Sequence, residues 1–537
     1  MKIKWLLIPM VCMLMVIIWG CSSESSNLNP AATSSMQQDN NSSTDNESAA
    51  NAVNNDFPQE LIIVDQEIAA SVDPVAPLTS SYLVALAAGE PLFKVDANGI
   101  VQPLLAEGAE AIDSTTWEIS LKENAQFWSG KAVDAEAVIA SLERSRDLDK
   151  QVIPYIQDLT FTPVDTYTIH VKTAREHMDV PLNLSYYQTL IHNAEASFDS
   201  VETMDLTGMY KVVAFEPQKR MELEINDNYW GRKPTIPRIV QEQISDEQTR
   251  MLSVLSGNSH IAHKMPVSGI SQLQGSDEVR ISAVPAANTQ TIYLNLSQSK
   301  FQDVRVRQAL SWGIDRDELI VQAAEGQSIP LTTWMSSNPA FSEARNAVYT
   351  QYDAERAGQL LDEAGWLLSD SGVRMKDGEP LTINLMTWGG DSALGETLQF
   401  QWTKLGIQAN VQHGDYNLIE VARENGEWDA FIEAWSTFGD PLTLMKGQFS
   451  PSGSGNYGGF DDELTNDLLE QLALANDEAT RRELALEINA HVAEQAPVVS
   501  LFPRPQITAV SQKLEGFVDH FRQFENLVNE NLTFVSP

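Results

Sequence analysis

Two stretches of the sequence hold reactive residue types at the spacing that chemistry uses. His260-x-x-His263 would set two imidazoles on one helical face, as a metal clamp requires. The pair follows a Ser256-Gly257 turn, however, and on an extended segment positions i and i+3 face apart. Gly453-Ser454-Gly455-Asn456-Tyr457-Gly458 spells the glycine pattern of a dinucleotide loop. Ser and Pro precede it where that loop needs a strand, and no β-α-β unit surrounds it. HExxH, GxSxG and the phosphate-loop pattern are absent, and the eight histidines are scattered. Cys12 and Cys21 are the only thiols, so the rest of the chain has no disulfide, Cys-ligated zinc or thiol nucleophile. The sequence therefore predicts neither an enzyme nor a resident metal or cofactor.

What remains are side chains that bind without reacting. Tyr82, Trp128, Trp334, Trp388, Trp435 and Tyr457 offer rigid walls with polar tips, the usual lining of a small-solute cleft. For most single tryptophans core packing is the simpler role; Trp435 differs because a polar loop, Ser436-Thr437-Phe438-Gly439-Asp440-Pro441, follows it. Arg504, in Phe502-Pro503-Arg504-Pro505, is either a partner for a ligand carboxylate or a surface arginine on an extended segment. Asn288 and Thr289 are polar groups just ahead of a strand.

Charge limits the partners. With 35 Lys+Arg against 74 Asp+Glu the formal net charge is −39, which opposes nucleic acid and docking on anionic lipid through a basic patch. The N-terminus supplies another route to a membrane. Lys2 and Lys4 precede an apolar run from Trp5 to Trp19, too short to span comfortably and ending at Gly20-Cys21. A small residue before a lone cysteine resembles the bacterial lipobox, which implies cleavage before Cys21 and lipidation of its thiol. Trp19 departs from the short residue preferred there. Ser22 to Phe57 is rich in Ser and Asn and lacks Lys and Arg, a composition that cannot offset its ordering entropy and reads as a tether.

The elements that must position a site begin near Pro58. Leu61–Val64 reads as a buried strand, and Trp117–Leu121 and Thr166–Val171 as half-buried ones. Asp134 caps a helix running to Arg144. Tyr210–Phe215 and Met221–Ile225 make a hairpin, and Thr291–Leu296 is a further strand. Asp303 caps a helix with Val306, Leu310 and Ile314 on one face. Asp315-x-x-Glu318 opens another helix, which Gly326 closes. Helices at Ala354–Ala364, Gly395–Leu405, Glu463–Leu474 and Thr480–Glu494 interleave with strands at Leu381–Met386, Ile407–Val411 and Ala430–Ala434. The order is mixed α/β with no fixed repeat.

From about Leu61 to Leu527 the chain resembles bacterial extracellular solute-binding proteins of family 5, the peptide/nickel class that feeds ABC importers. The resemblance rests on Thr207–Val212, Asn228-Tyr229-Trp230-Gly231-x-Lys233-Pro234 and Arg250 through Gly257 to Ala262. It continues at Tyr293–Asn295 through Phe301-x-Asp303–Leu310 to Arg316, Trp435 through Pro441, Tyr457–Phe460 and Pro497–Phe502. It implies a two-lobed periplasmic-binding-protein-like α/β fold with an extra subdomain in the first lobe and a hinge between lobes. It also implies a strand where His260-x-x-His263 lies, and a structural place for Arg305 and Arg307, paired with acids. Asn295 would fix a crossover. The implied division is 1–20 signal peptide and 21–57 lipidated tether. Lobe I would be 58–88 with 205–291 and 504–537, the inserted subdomain 89–204, and lobe II 292–503. Crossovers would lie near Thr291–Leu296 and Val498–Thr508.

The same resemblance implies a monomeric lipoprotein, tethered outside the cell membrane through Cys21, that passes a small solute to an ABC permease and ATPase. A short peptide is the leading ligand and a nickel or other metal chelate the alternative. Relatives that bind peptides carry an Asp three residues after the Trp of the Trp435 loop; here that position is Phe438, and Asp440 is either a substitute carboxylate or an Asp-Pro turn-former. Nickel-chelate relatives carry a His after the Asp-Pro; here it is Leu442. The expected ligand-binding set is Tyr82, Asn288, Thr289, Trp388, Trp435, Thr437, Phe438, Asp440, Tyr457 and Arg504.

Overall fold

Two long strands, Val279–Leu294 and Val498–Ser511, lie antiparallel in the middle of a ten-stranded sheet. They belong to a computed structural model that describes residues 60–346, 351–475, 477–522 and 527–535. The signal peptide, Cys21 and the tether lie outside the described residues. On one flank the sheet continues through Ile261–Ala262, Glu60–Asp65, Arg238–Gln243, Arg220–Ile225 and Tyr210–Glu216. On the other it continues through Ala430–Ser436, Thr382–Trp388 and Gln408–Gly414. Each flank has its own core. Leu61, Ile63, Tyr210, Leu223 and Ile239 pack in the first, and Ile292, Leu310, Leu385, Trp402 and Leu501 in the second.

The ladder between the two crossover strands is irregular at two points, a wide break after Pro285 and a one-residue shift between Gln290 and Thr291. Pro285 pairs with Pro505, and the next pair is Thr289 with Pro503, so the first strand carries two residues more than its partner across the gap. Proline has no N–H to give a ladder, and in central strands it is confined to such irregularities. Three prolines at one point therefore dictate the break. Ala287, inside it, donates its N–H to Phe521 O (3.0 Å) and accepts from Thr437 N (3.0 Å).

A separate four-stranded antiparallel sheet, in the order Ala106–Asp113, Thr116–Leu121, Thr168–Thr173 and Leu159–Asp165, packs on helix Ala135–Leu148. Its core holds Ile119, Phe127, Val138, Leu142, Phe161 and Val171. Glu90, at the entry to this segment, is buried and accepts from Tyr229 Oη (2.7 Å) and Trp230 Nε1 (3.2 Å). Burial raises its carboxyl to about 7 despite those donors. The Tyr229-Trp230 motif thus serves to clasp the inserted segment.

Capping signals translate directly. Asp134, Asp303 and Asp315 accept from the backbone N–H of Ala137, Arg305 and Glu318 and start helices Ala135–Leu148, Val304–Trp312 and Arg316–Ala324. The last does not close at Gly326 alone, because Glu325 already adopts the left-handed conformation. Arg305 pairs with Asp303 (2.7 Å) as the acid-rich face suggests. Arg307 differs: it is buried and donates to the carbonyls of Phe301 and Gln495, both at 2.7 Å. Asn295 Nδ2 donates to Trp428 O (2.9 Å) and so ties the end of the first crossover strand to the approach of Ala430–Ser436. Helices Thr79–Ala85, Glu247–Leu255, Tyr416–Asn425 and Pro441–Phe449 go beyond the sequence reading.

Candidate functional site

A cleft of about 270 Å³ opens where the crossover ladder breaks. Ala286, Ala287 and Asn288 line it from the first crossover strand, and Arg504, Pro505 and Gln506 from the second. Because Pro503 and Pro505 cannot donate, the second strand is not held by a full ladder here, and Arg504 between them turns toward the opening. Tyr155, Tyr186, Tyr187 and Gln188 come from the inserted segment, Ser436 from the end of strand Ala430–Ser436, Phe438 from the loop after it, and Phe521 and Arg522 from the C-terminal segment.

The aromatic walls are layered. Tyr155 stacks on Tyr186 (centroids 3.9 Å), Tyr186 adjoins Phe438 (5.9 Å), and the Arg522 guanidinium lies over both rings (4.6 and 4.7 Å). These cation–π contacts, with hydrogen bonds to Ser185 O (3.4 and 3.5 Å), help to hold the buried guanidinium in place. Phe521 meets Phe438 at 5.4 Å. Beside them His520 is driven down to about 4, by burial and then by Arg522, so it is neutral. Its Nδ1 accepts from Arg522 N (3.0 Å), which leaves Nε2–H to donate to Val95 O (3.1 Å).

The lining holds Arg504 and Arg522 and no Asp or Glu. Carboxylates stand one layer behind it. Asp391 lies 3.3 Å from Arg504 Nη2, and Asp519 accepts from Gln506 Nε2 (2.9 Å). Burial raises both carboxyls; Arg504 acts against it at Asp391 and His263 at Asp519. Three amide oxygens of lining residues, Gln188 Oε1, Asn288 Oδ1 and Gln506 Oε1, are buried without a protein partner. A buried acceptor left unpaired is costly, so these three suit donors brought by a ligand. The arrangement can bind anionic groups and N–H groups side by side. It offers no activated nucleophile.

Asn288, Phe438 and Arg504 of the expected set line this cleft; the other expected residues do not. Tyr82 is packed in the first core. Thr289 is buried and donates to Trp334 O (2.8 Å), and Thr437 shares a short hydrogen bond with Ser337 Oγ. Asp440 is the turn-former of its two readings: it caps Pro441–Phe449 through Thr443 N (2.9 Å) and pairs with Arg481 (2.9 Å). Trp388 packs on Tyr416 (4.9 Å), Trp435 on Tyr457 (6.3 Å), and Tyr457 lies under the Arg423 guanidinium (4.2 Å). These four rings and Arg423 form a separate cluster on the second lobe. Trp128 and Trp334 are core residues.

Both motif decoys resolve structurally. His260 and His263 flank the strand Ile261–Ala262; His260 Nδ1 accepts from Ile62 N (3.0 Å), while His263 Nδ1 meets Asp65 Oδ2 (2.9 Å). Among the described residues no group of three or more His, Cys, Asp or Glu is placed to hold a metal ion. In the glycine-rich stretch, a Cβ on Gly453 would stand 2.4 Å from Gly447 O, and one on Gly458 would stand 2.3 Å from Leu294 O. The glycines there permit close backbone approach. Tyr155, Tyr186, Tyr187, Gln188, Phe521 and Arg522 were not anticipated; the adjacent aromatics Tyr186-Tyr187 were the available signal.

Known proteins align with this arrangement along most of the chain. The "Nickel-binding protein NikA" of Staphylococcus aureus is 22% identical over 448 residues, covering 82% of this chain and 88% of that protein. The "Glutathione-binding protein GsiB" of Shigella flexneri is 24% identical over 468 residues, with the same coverage. The crystal structure of a nickel ABC transporter protein from Bacillus halodurans superposes with a TM-score of 0.78 at 24% identity, covering 88% of this chain and 99% of that one. That likeness establishes the two-lobed fold. The profile described as "Bacterial extracellular solute-binding proteins, family 5 Middle" matches residues 101–456, a span that takes in the inserted sheet, the first crossover and the Trp435 loop. With fold and sequence in agreement over this span, the chain belongs to the bacterial extracellular solute-binding proteins of family 5.

Proposed function

We propose that the protein is the substrate-binding lipoprotein of an ABC importer, and that its ligand is a short peptide with more carboxylates than amines. The observation that carries this reading is the cleft's composition: two arginines, no acid, and three partnerless amide oxygens. Carboxylates would take Arg504 and Arg522, and peptide N–H groups would take Gln188, Asn288 and Gln506. The tyrosine and phenylalanine walls give apolar contact at low entropic cost. Similarity to a glutathione-binding protein supports the reading, since glutathione is a tripeptide with two carboxylates and one amine.

The protein works as a monomer without catalysis, passing its ligand to the permease and ATPase of the importer. It is held outside the cell membrane, or in the periplasm where an outer membrane exists, by lipid on Cys21 and the tether to residue 57. Among the described residues no helix is long and apolar enough to cross a membrane. An anionic metal chelate is the second reading, supported by the relatives named for nickel. With no three-ligand group among the described residues, its metal would arrive wrapped in an organic chelator.

Native mass spectrometry of the purified protein tests both. A co-purifying peptide released on denaturation is the expected result. Stoichiometric nickel with a small chelator would replace the peptide reading, and steady turnover of added peptide would end the binding-protein reading itself.

A further inference from the structure

Aspartates open most of the helices here, and nearly all of them turn their carboxylate onto the first turn. Asp134, Asp246, Asp303, Asp315, Asp353, Asp440, Asp462 and Asp477 each accept a backbone N–H of the helix they precede. Asp415 precedes Tyr416–Asn425 without such a bond, and Asp391 precedes Ser392–Lys404 and makes none either. Its buried carboxylate is turned instead toward the two crossover strands. Oδ1 accepts from Gln290 Nε2 (3.0 Å), and Oδ2 lies 3.3 Å from Arg504 Nη2. A capping aspartate ordinarily gains from the first turn's N–H groups, so this diversion has to be compensated elsewhere.

The compensation is at the cleft. Arg504 sits between two prolines on a broken ladder, and among the described residues its side-chain hydrogen bonds run from Nη2 to Asp391. Nε and Nη1 make none among the described residues, and the side chain is 41% exposed. One guanidinium nitrogen is thus held from behind, while the side chain as a whole stays partly exposed at the cleft. An arginine fixed in this way loses less side-chain freedom when a carboxylate arrives.

Building on the peptide reading above, we infer that Asp391 is a positioning residue that holds the Arg504 guanidinium at the cleft, so that ligands are selected by their carboxylate there. The groups facing Asp391 are Gln290 from the first crossover strand, Arg504 from the second and His413 from the neighbouring strand end. None competes with Arg504 for a ligand carboxylate.

The test uses the full-length chain with Asp391→Asn, which keeps the side chain's shape, and Arg504→Gln. Phenylglyoxal labelling, read residue by residue by mass spectrometry, needs no ligand. The expected result is severalfold faster labelling of Arg504 in Asp391→Asn, with Arg522 unchanged. Equal Arg504 labelling in both proteins would overturn the positioning role. Calorimetry with glutathione and its glycyl ethyl ester then reads selection: wild type prefers the free acid, and Asp391→Asn loses about tenfold of that preference. A preference that survives Asp391→Asn but vanishes in Arg504→Gln also overturns the inference. If wild type binds neither probe, the peptide reading fails while the labelling result still decides the role of Asp391.

Discussion

Tyr186 Oη donates a 2.9 Å hydrogen bond to the carbonyl of Phe438, joining residues 252 apart in sequence. One belongs to the inserted segment and the other to the loop after Ala430–Ser436, and the Arg522 guanidinium lies over both of their rings. This bond stands between the aromatic walls of the cleft.

Tyr186→Phe removes that bond and keeps the stack on Tyr155. Stability should change by about 1 kcal/mol, the net value of one hydrogen bond. Ligand dissociation followed by stopped-flow tryptophan fluorescence should quicken severalfold. An unaltered off-rate would mean that the walls are held together by ring contact alone.

Arg504→Gln should weaken a dicarboxylate peptide by about 1.5–3 kcal/mol, the range for hydrogen bonds to charged groups. Because the removed interaction is ionic and partly exposed, the wild-type affinity should fall with added salt more steeply than the variant's. Titration calorimetry at two salt concentrations reads both effects.

Trp435 separates packing from binding. It packs between two apolar clusters of the second lobe and is absent from the cleft lining. Trp435→Ala should therefore cost about 3 kcal/mol in urea unfolding, as large-to-small core changes do, with peptide affinity within about twofold of wild type. A large affinity loss with intact stability would return Trp435 to the ligand.

Glu90 sets a pH dependence of known sign. Its carboxyl titrates at about 7 in the fold, against 4.5 for the ordinary side chain, because burial disfavours the charge. Between those values the native protein holds a proton that the unfolded chain has released, so this stabilising contribution, full below 4.5, is lost as pH rises through 7. The loss is at most about 3 kcal/mol. Glu90→Gln should flatten that slope and raise the melting temperature at pH 8; an equally steep profile would place the titration elsewhere.

The legible parts of the sequence were those with local causes. Asp134, Asp303 and Asp315 cap helices because an N-cap depends on its neighbours alone. The cleft depends on where distant segments meet. Arg504 stood out through its flanking prolines and Asn288 through its place beside a strand, and both line the opening. Tyr155, Gln188 and Arg522 carry no local mark, and only the tertiary fold brings them to residue 288. Trp435 and Asp440 lie outside this lining for the converse reason, since a conspicuous loop says which segment reaches the cleft but not which of its side chains turn in. In that loop it is Phe438.

The two surplus residues in the first crossover strand bear on how the protein moves. Ala287 has left the ladder, and its amide and carbonyl hold Phe521 and Thr437 instead. The break in the ladder and the two walls are therefore tied together by hydrogen bonds. A rotation at 286–288 drags Phe438 and Phe521 along with it, so the spacing of the rings that grip a ligand is geared to the angle between the lobes. A permease that levers the lobes apart would loosen that grip in the same stroke, without touching the bound solute.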